Sequence, residues 1–169
     1  MLIDGERIRN IFEELLEVET ERRTIRADIG ELKAELKSRT PGYEKVMDAV
    51  FKIYDKKTLT EAAAENLRQA SYFLQVPVIT TKTMPEALRE EDKEAVTILN
   101  EVLKRYEVLK NAQNELNTNF RDIMGKAKAC GLSTVCLKTL LDWKINPNKY
   151  ELFQNTTPLL EVYQEQISL

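Results

Sequence analysis

The side chains of this chain best suited to chemistry are its lysines and arginines, and the chemistry they suit is contact with an anion. Arg23 and Lys37 stand fourteen residues apart on one helical face, with Gly30 between them. Farther along, Asn114, Arg121 and Lys128 hold the matching row. Arg26 and Lys33 flank the first row only, and Arg22 lies beside Arg23. Past the next turns come Lys45 and Lys52, then Lys138 and Lys144. Cations that face one way without interleaved aromatics suit the phosphate backbone of a duplex better than stacked single-stranded bases. The competing reading is solvated helix surface with no ligand.

Other chemistry finds little to use. With no histidine the commonest general base and metal ligand is missing. There is no Gly-rich phosphate loop, no Ser or Cys nucleophile beside a base, and no paired-carboxylate motif. Cys130 and Cys136, six apart, match no zinc spacing and read as small apolar fillers in a reduced compartment. The expectation is a protein that is not an enzyme and has no cofactor or metal.

The rows of cations need long helices to carry them. Ile8, Ile11, Leu15, Val18, Ile25, Ile29, Leu32 and Leu36 recur in steps of three and four, with Arg22 in the one interrupted place. That is a heptad seam, the mark of a helix that pairs with another helix. Adding 91 to each number gives Leu99, Val102, Tyr106, Leu109, Leu116, Phe120, Ile123 and Ala127, with Gln113 in the place of Arg22. The chain therefore reads as a tandem duplication. Arg22 then admits two roles: setting register, with Gln113 as its partner, or facing a phosphate.

Each long helix is followed by a Gly-containing turn and two shorter helical segments. The first helix is expected from an Asp4 cap to about Ser38, stopping at Arg39-Thr40-Pro41-Gly42. Val46, Met47, Val50, Phe51 and Tyr54 mark a second helix, and Thr58 or Thr60 caps a third. Acidic residues from Glu86 to Asp92 open the second long helix, which stops at Cys130-Gly131. Val135, Leu137, Leu140, Leu141 and Trp143 follow, after a Ser133 or Thr134 cap. Leu159, Leu160, Val162, Tyr163 and Ile167 mark the last helix. Gly42 answers Gly131 and Phe51 answers Leu141. The expected fold is all-α, two tandem three-helix units, each a long coiled-coil-like helix followed by two short ones. The units would be residues 1–74 and 92–169, with 75–91 as a linker.

Charge is sorted along the chain. The net charge is −3, which taken whole argues against a nucleic-acid binder. Yet Arg22–Lys57 holds ten Lys/Arg against six Asp/Glu, and Lys104–Lys149 holds nine against four. The acid is concentrated in Glu13–Glu21 and Glu86–Glu94. Such sorting presents local basic faces despite an acidic total. No apolar run approaches the roughly 20 residues that cross a bilayer, and no signal-peptide core opens the chain. A cytoplasmic protein without a membrane partner is expected.

The stretch from Leu16 to Lys37, with its acidic run, paired Arg22-Arg23, Asp28-Ile29 and Ala34-Glu35-Leu36-Lys37, resembles the long helix of the GapR family of nucleoid-associated proteins. Arg121-Asp122-Ile123, Ala127 to Leu132 and Leu137 to Leu141 are similar to that family's turn and second helix, and Leu159 to Tyr163 to its last helix. The chain is also similar to small double-stranded-DNA-binding proteins of large tailed phages. The resemblance implies duplex binding through the backbone, assembly into a homo-oligomer through long helices, and a bacterial nucleoid or phage-infected cell as the setting. It carries DNA contact onto Arg22, Arg23, Lys37, Lys52, Arg121, Lys128, Lys138 and Lys144. Gly30, Gln113, Asn114, Val135, Thr139 and Asp142 stand where the family has cations. The alternative expectation is a helical protein-interaction module, with a phage origin left open, that docks on a host or viral protein.

Overall fold

In a computed structural model, residues 4–55, 64–75, 86–147 and 158–167 are described. All the regular structure among them is helical: α1 Gly5–Arg39, α2 Glu44–Tyr54, α3 Ala64–Leu74, α4 Glu90–Ala129, α5 Thr134–Ile145 and α6 Pro158–Ile167. The expected caps at Thr58 or Thr60 and most of the expected linker lie outside the described residues.

The seams are buried where the heptads place them. On α1, Ile8, Ile11, Leu15, Ile29, Leu32 and Leu36 are buried, and on α4 so are Leu99, Val102, Tyr106, Ile123 and Ala127. Burying each leucine, isoleucine or valine among them is worth about 1.5–3 kcal/mol. Val18, Ile25, Leu109, Leu116 and Phe120 are only half-buried.

The ends of the helices follow from local chemistry. Asp4 caps α1, its carboxylate accepting from the Arg7 N–H at 3.2 Å. At the other end Thr40 donates its hydroxyl and its N–H to the Leu36 carbonyl, at 2.7 and 3.0 Å. Pro41 cannot extend the helix, and Gly42 turns the chain with φ +90°. Helix α4 ends in a Schellman turn. Leu132 N–H reaches the Ala127 carbonyl at 2.9 Å and Gly131 N–H reaches that of Lys128 at 3.0 Å, with Gly131 at φ +79°. Ser133 then caps α5 by accepting from the Cys136 N–H.

Contacts gather the chain into two compact units that do not follow the sequential division. Unit 1 comprises Met1–Ala27 and Lys110–Leu169; unit 2 is Asp28–Leu109. Each takes the first part of one long helix, the last part of the other, and the two short helices that follow the latter. A seam this long exceeds what two short helices of its own half can cover, so each long helix serves both units.

In unit 2 the two long helices run antiparallel, since Glu35 pairs with Arg105 at 2.9 Å and Arg39 with Glu101 at 3.0 Å. Helices α2 and α3 pack together, with the Tyr43 and Phe73 rings 5.3 Å apart. Asp92 in the first turn of α4 accepts from the Tyr43 hydroxyl at 2.8 Å and the Tyr72 hydroxyl at 3.3 Å. Tyr106 is fully buried and donates to the Asp55 carboxylate, its oxygen 2.7 and 2.8 Å from the two carboxylate oxygens, against the Phe51 and Tyr54 rings.

In unit 1, Ile8, Phe12 and Leu15 of α1 share a core with Ile123 and Met124 of α4, Leu137 and Leu140 of α5, and Leu160 and Tyr163 of α6. The Tyr163 hydroxyl accepts from the Ser133 N–H at 2.8 Å, tying α6 to the cap of α5. Two expected apolar positions face outward instead. Val135 is 72% exposed and Leu159 42%, because each lies one residue before the buried stripe of its helix.

Candidate functional site

The eight cations singled out in the sequence fall into three environments. Arg22 and Arg23 belong to a compensated network inside unit 1. Arg22 donates from Nε to Asn117 Oδ1 at 2.9 Å and from Nη1 to Glu19 Oε2 at 2.7 Å. Its guanidinium carbon stands 4.2 Å from the centre of the Phe120 ring, a cation–π contact. Arg23 donates to the other Glu19 oxygen at 3.1 Å and to Asp142 at 3.2 Å. Burial opposes the charge on Arg23, but the bonds from Glu19 and Asp142 outweigh it and raise its pKa. Two cations therefore meet two carboxylates, and Glu19 is itself buried. The expected partnership of Arg22 with Gln113 is not formed. Asn117, one helical turn on, takes that place, and Gln113 accepts from Lys110 at 3.1 Å.

Lys37 forms the second environment. In the last turn of α1 its ammonium stands 2.6 Å from Asp48 of α2. Its charge is spent within unit 2.

The third environment is open. Lys52 in unit 2 and Arg121, Lys128, Lys138 and Lys144 in unit 1 are exposed and have no ion-pair partner among the described residues. Lys126, which the sequence reading left out of the row, belongs with them. From Arg121 to Lys144, unit 1 thus presents five cations without an ion-pair partner among the described residues, against Asp122 and the already engaged Asp142. Lys126 and Lys128 also occupy the last turn of α4, where the helix dipole favours positive charge without any ligand.

Charge pairing is what sequence reasoning missed. Glu19 stands three and four residues before Arg22 and Arg23, a spacing from which helical pairing is readable. Asp48 and Asp142 gave no such signal, since each meets its cation across a turn or from a distant helix. The cysteines split: Cys136 is buried, as a filler should be, whereas Cys130 is exposed.

Unit 2 also contains a groove of about 470 Å³ between α1 and α4, lined by Asp28, Glu31, Leu32, Glu35, Arg105, Val108 and Leu109. Asp28 and Glu31 have no ion-pair partner among the described residues. The Arg105 hydrogen bond, opposed by partial desolvation, holds the Glu35 carboxyl below its ordinary pKa. Among the described residues there is no His/Cys/Asp/Glu group arranged for a metal, and no helix long and apolar enough to cross a membrane. No family model, curated protein or solved structure matches the chain.

Proposed function

We propose that this chain binds double-stranded DNA without catalysis, through backbone phosphates and with low sequence specificity, in an architectural or regulatory role. The observation that supports it is the set of five exposed cations on the end of α4 and on α5 that have no ion-pair partner among the described residues. Lysine and arginine contacts to phosphate release counterions, so affinity should fall steeply with salt, by about 0.9 log units per tenfold of salt for each phosphate neutralised. In this reading Arg22 and Arg23 hold unit 1 together, and Arg121, Lys128, Lys138 and Lys144 meet the duplex. Assembly into a homo-oligomer through the long helices, and a cytoplasmic setting in a bacterial nucleoid or phage-infected cell, belong to the same proposal. The test is titration of a labelled duplex at several salt concentrations. Binding with a steep salt slope supports the reading; absence of binding at about 50 mM salt, or indifference to salt, removes it.

One observation favours a second reading, a module that docks on another protein. The groove of unit 2 combines the acidic Asp28 and Glu31 with apolar Leu32, Leu109 and the 68% exposed Val108. Retention of a defined protein partner from nuclease-treated lysate by a chain that binds no duplex would decide for it.

A further inference from the structure

Helices α2 and α5 match position by position when 90 is added to the number. Val46 and Cys136, Met47 and Leu137, Val50 and Leu140, and Phe51 and Leu141 are buried in both. Between them Asp48 and Lys138 are exposed in both. The long helices match at an offset of 91, with Leu32 and Ile123, then Leu36 and Ala127, buried in both. Lys37 and Lys128 each follow the last of these directly. Both corners turn through a glycine with positive φ and both connections are four residues long, although Lys128 and Lys138 are ten residues apart where Lys37 and Asp48 are eleven.

Lys128 and Lys138 therefore occupy in unit 1 the places that Lys37 and Asp48 occupy in unit 2. There the two side chains meet at 2.6 Å. In unit 1 both positions are cationic, both side chains are exposed, and neither has an ion-pair partner among the described residues. The acid on α5 cannot serve, because Asp142 is engaged by Arg23 at 3.2 Å and Asn146 at 3.4 Å. Two ammonium groups placed as Lys37 and Asp48 are would repel each other, and an anion between them would turn that repulsion into two charge-assisted hydrogen bonds.

We propose that Lys128 and Lys138 form a two-lysine site for a single backbone phosphate, and that Asp48 closes the corresponding site in unit 2. The proposal rests on the duplex-binding reading and deepens it: the two units are unequal, and unit 1 makes the phosphate contact at this corner. A phosphodiester fits because its two non-bridging oxygens can each accept from one ammonium.

The charge exchange supplies its own test. Lys138→Asp removes one cation and also offers Lys128 an internal partner, as Asp48 does for Lys37. Lys52→Asp makes the same charge change at an exposed lysine of unit 2 that has no ion-pair partner among the described residues. Duplex affinity is measured by fluorescence anisotropy at fixed salt, with circular dichroism confirming helix content. K138D should weaken binding by about tenfold or more, and K52D by about threefold at most. Asp48→Lys, which opens the unit 2 site, should tighten binding by about threefold or more, and should recover affinity in the K138D background. K138D and K52D equal within twofold, or D48K without effect, would overturn the two-lysine site while leaving duplex binding standing. Absence of duplex binding by the unaltered chain would overturn both.

Discussion

The α1–α2 corner of unit 2 and the α4–α5 corner of unit 1 share a plan and differ in charge. Each long helix ends beside a lysine and turns through a glycine of positive φ. Each then starts a short helix whose buried face repeats at an offset of 90. In unit 2, Lys37 is neutralised by Asp48. In unit 1 the corresponding positions are both lysine, while the acid of α5 reaches α1 to hold Arg23. Apolar positions set how the helices pack and tolerate few changes; exposed positions between them can exchange sign with little effect on packing. Similar corners can therefore serve a fold in one unit and a ligand in the other.

The comparison is broken most forcefully in the cores. Met47 and Leu137 are equivalent and fully buried. Met47→Ala and Leu137→Ala should each cost about 2–5 kcal/mol, through lost transfer energy and the cavity left behind. Urea denaturation should give values within about 1 kcal/mol of each other if the two sites are packed alike. A cost below about 1 kcal/mol at one site would show that its helix is not seated as its counterpart is.

A buried tyrosine in each unit sharpens the contrast. Tyr106 donates to a carboxylate at the end of α2, and Tyr163 accepts from a backbone N–H at the start of α5. Tyr106→Phe leaves Asp55 without that donor and should cost about 2 kcal/mol; Tyr163→Phe, with a neutral partner, should cost about 1 kcal/mol. Burial first, and then the Asp55 bond, raises the Tyr106 pKa well above the ordinary tyrosine range. A folded-state pKa above the unfolded one gives stability that is complete below about pH 10 and lost as pH rises through the folded value. Y106F should flatten this alkaline loss, read from urea midpoints between about pH 9 and 11, while Y163F serves as its comparison.

How far these contrasts were legible in the sequence depended on their range. Heptad spacing located both seams, and Asp4, Gly42, Gly131 and Ser133 marked helix ends, because a local backbone requirement chooses those residue types. The grouping into units was not legible, since it depends on which part of each long helix meets the other. The cation rows were visible as residue types, but not the state of each charge. Lys37 meets Asp48 across a corner, and Arg23 meets Asp142 from a helix more than a hundred residues away. Neither pairing has a periodicity to betray it.

Arg22 and Arg23 offer a smaller test that separates structural from ligand roles. Glu19→Gln removes the charge shared by both arginines. With side chains that remain 12–31% exposed, the cost should be about 1–2 kcal/mol, less than for a fully buried pair. Duplex affinity should stay within about twofold, because the arginines remain directed at Asn117, Phe120 and Asp142. A marked gain in affinity would show that Glu19 had been withholding them from phosphate, and would return both arginines to the binding face.

The smallest effect belongs to the surface network of unit 2. The Arg105 bond holds the Glu35 carboxyl below its ordinary pKa, and the Arg39 bond does the same for Glu101. A carboxyl whose folded pKa is depressed contributes stability above its unfolded value, near 4.3, and loses it as pH falls through the folded value. The glutamates are open to solvent, so the contribution is modest and weakens as salt rises. A Glu35→Gln, Glu101→Gln chain should differ little from the unaltered one at neutral pH, and its stability should decline less steeply below about pH 4. Urea midpoints at low and high salt check both parts. If acid sensitivity survived the double substitution unchanged, these pairs would contribute nothing to the stability of unit 2.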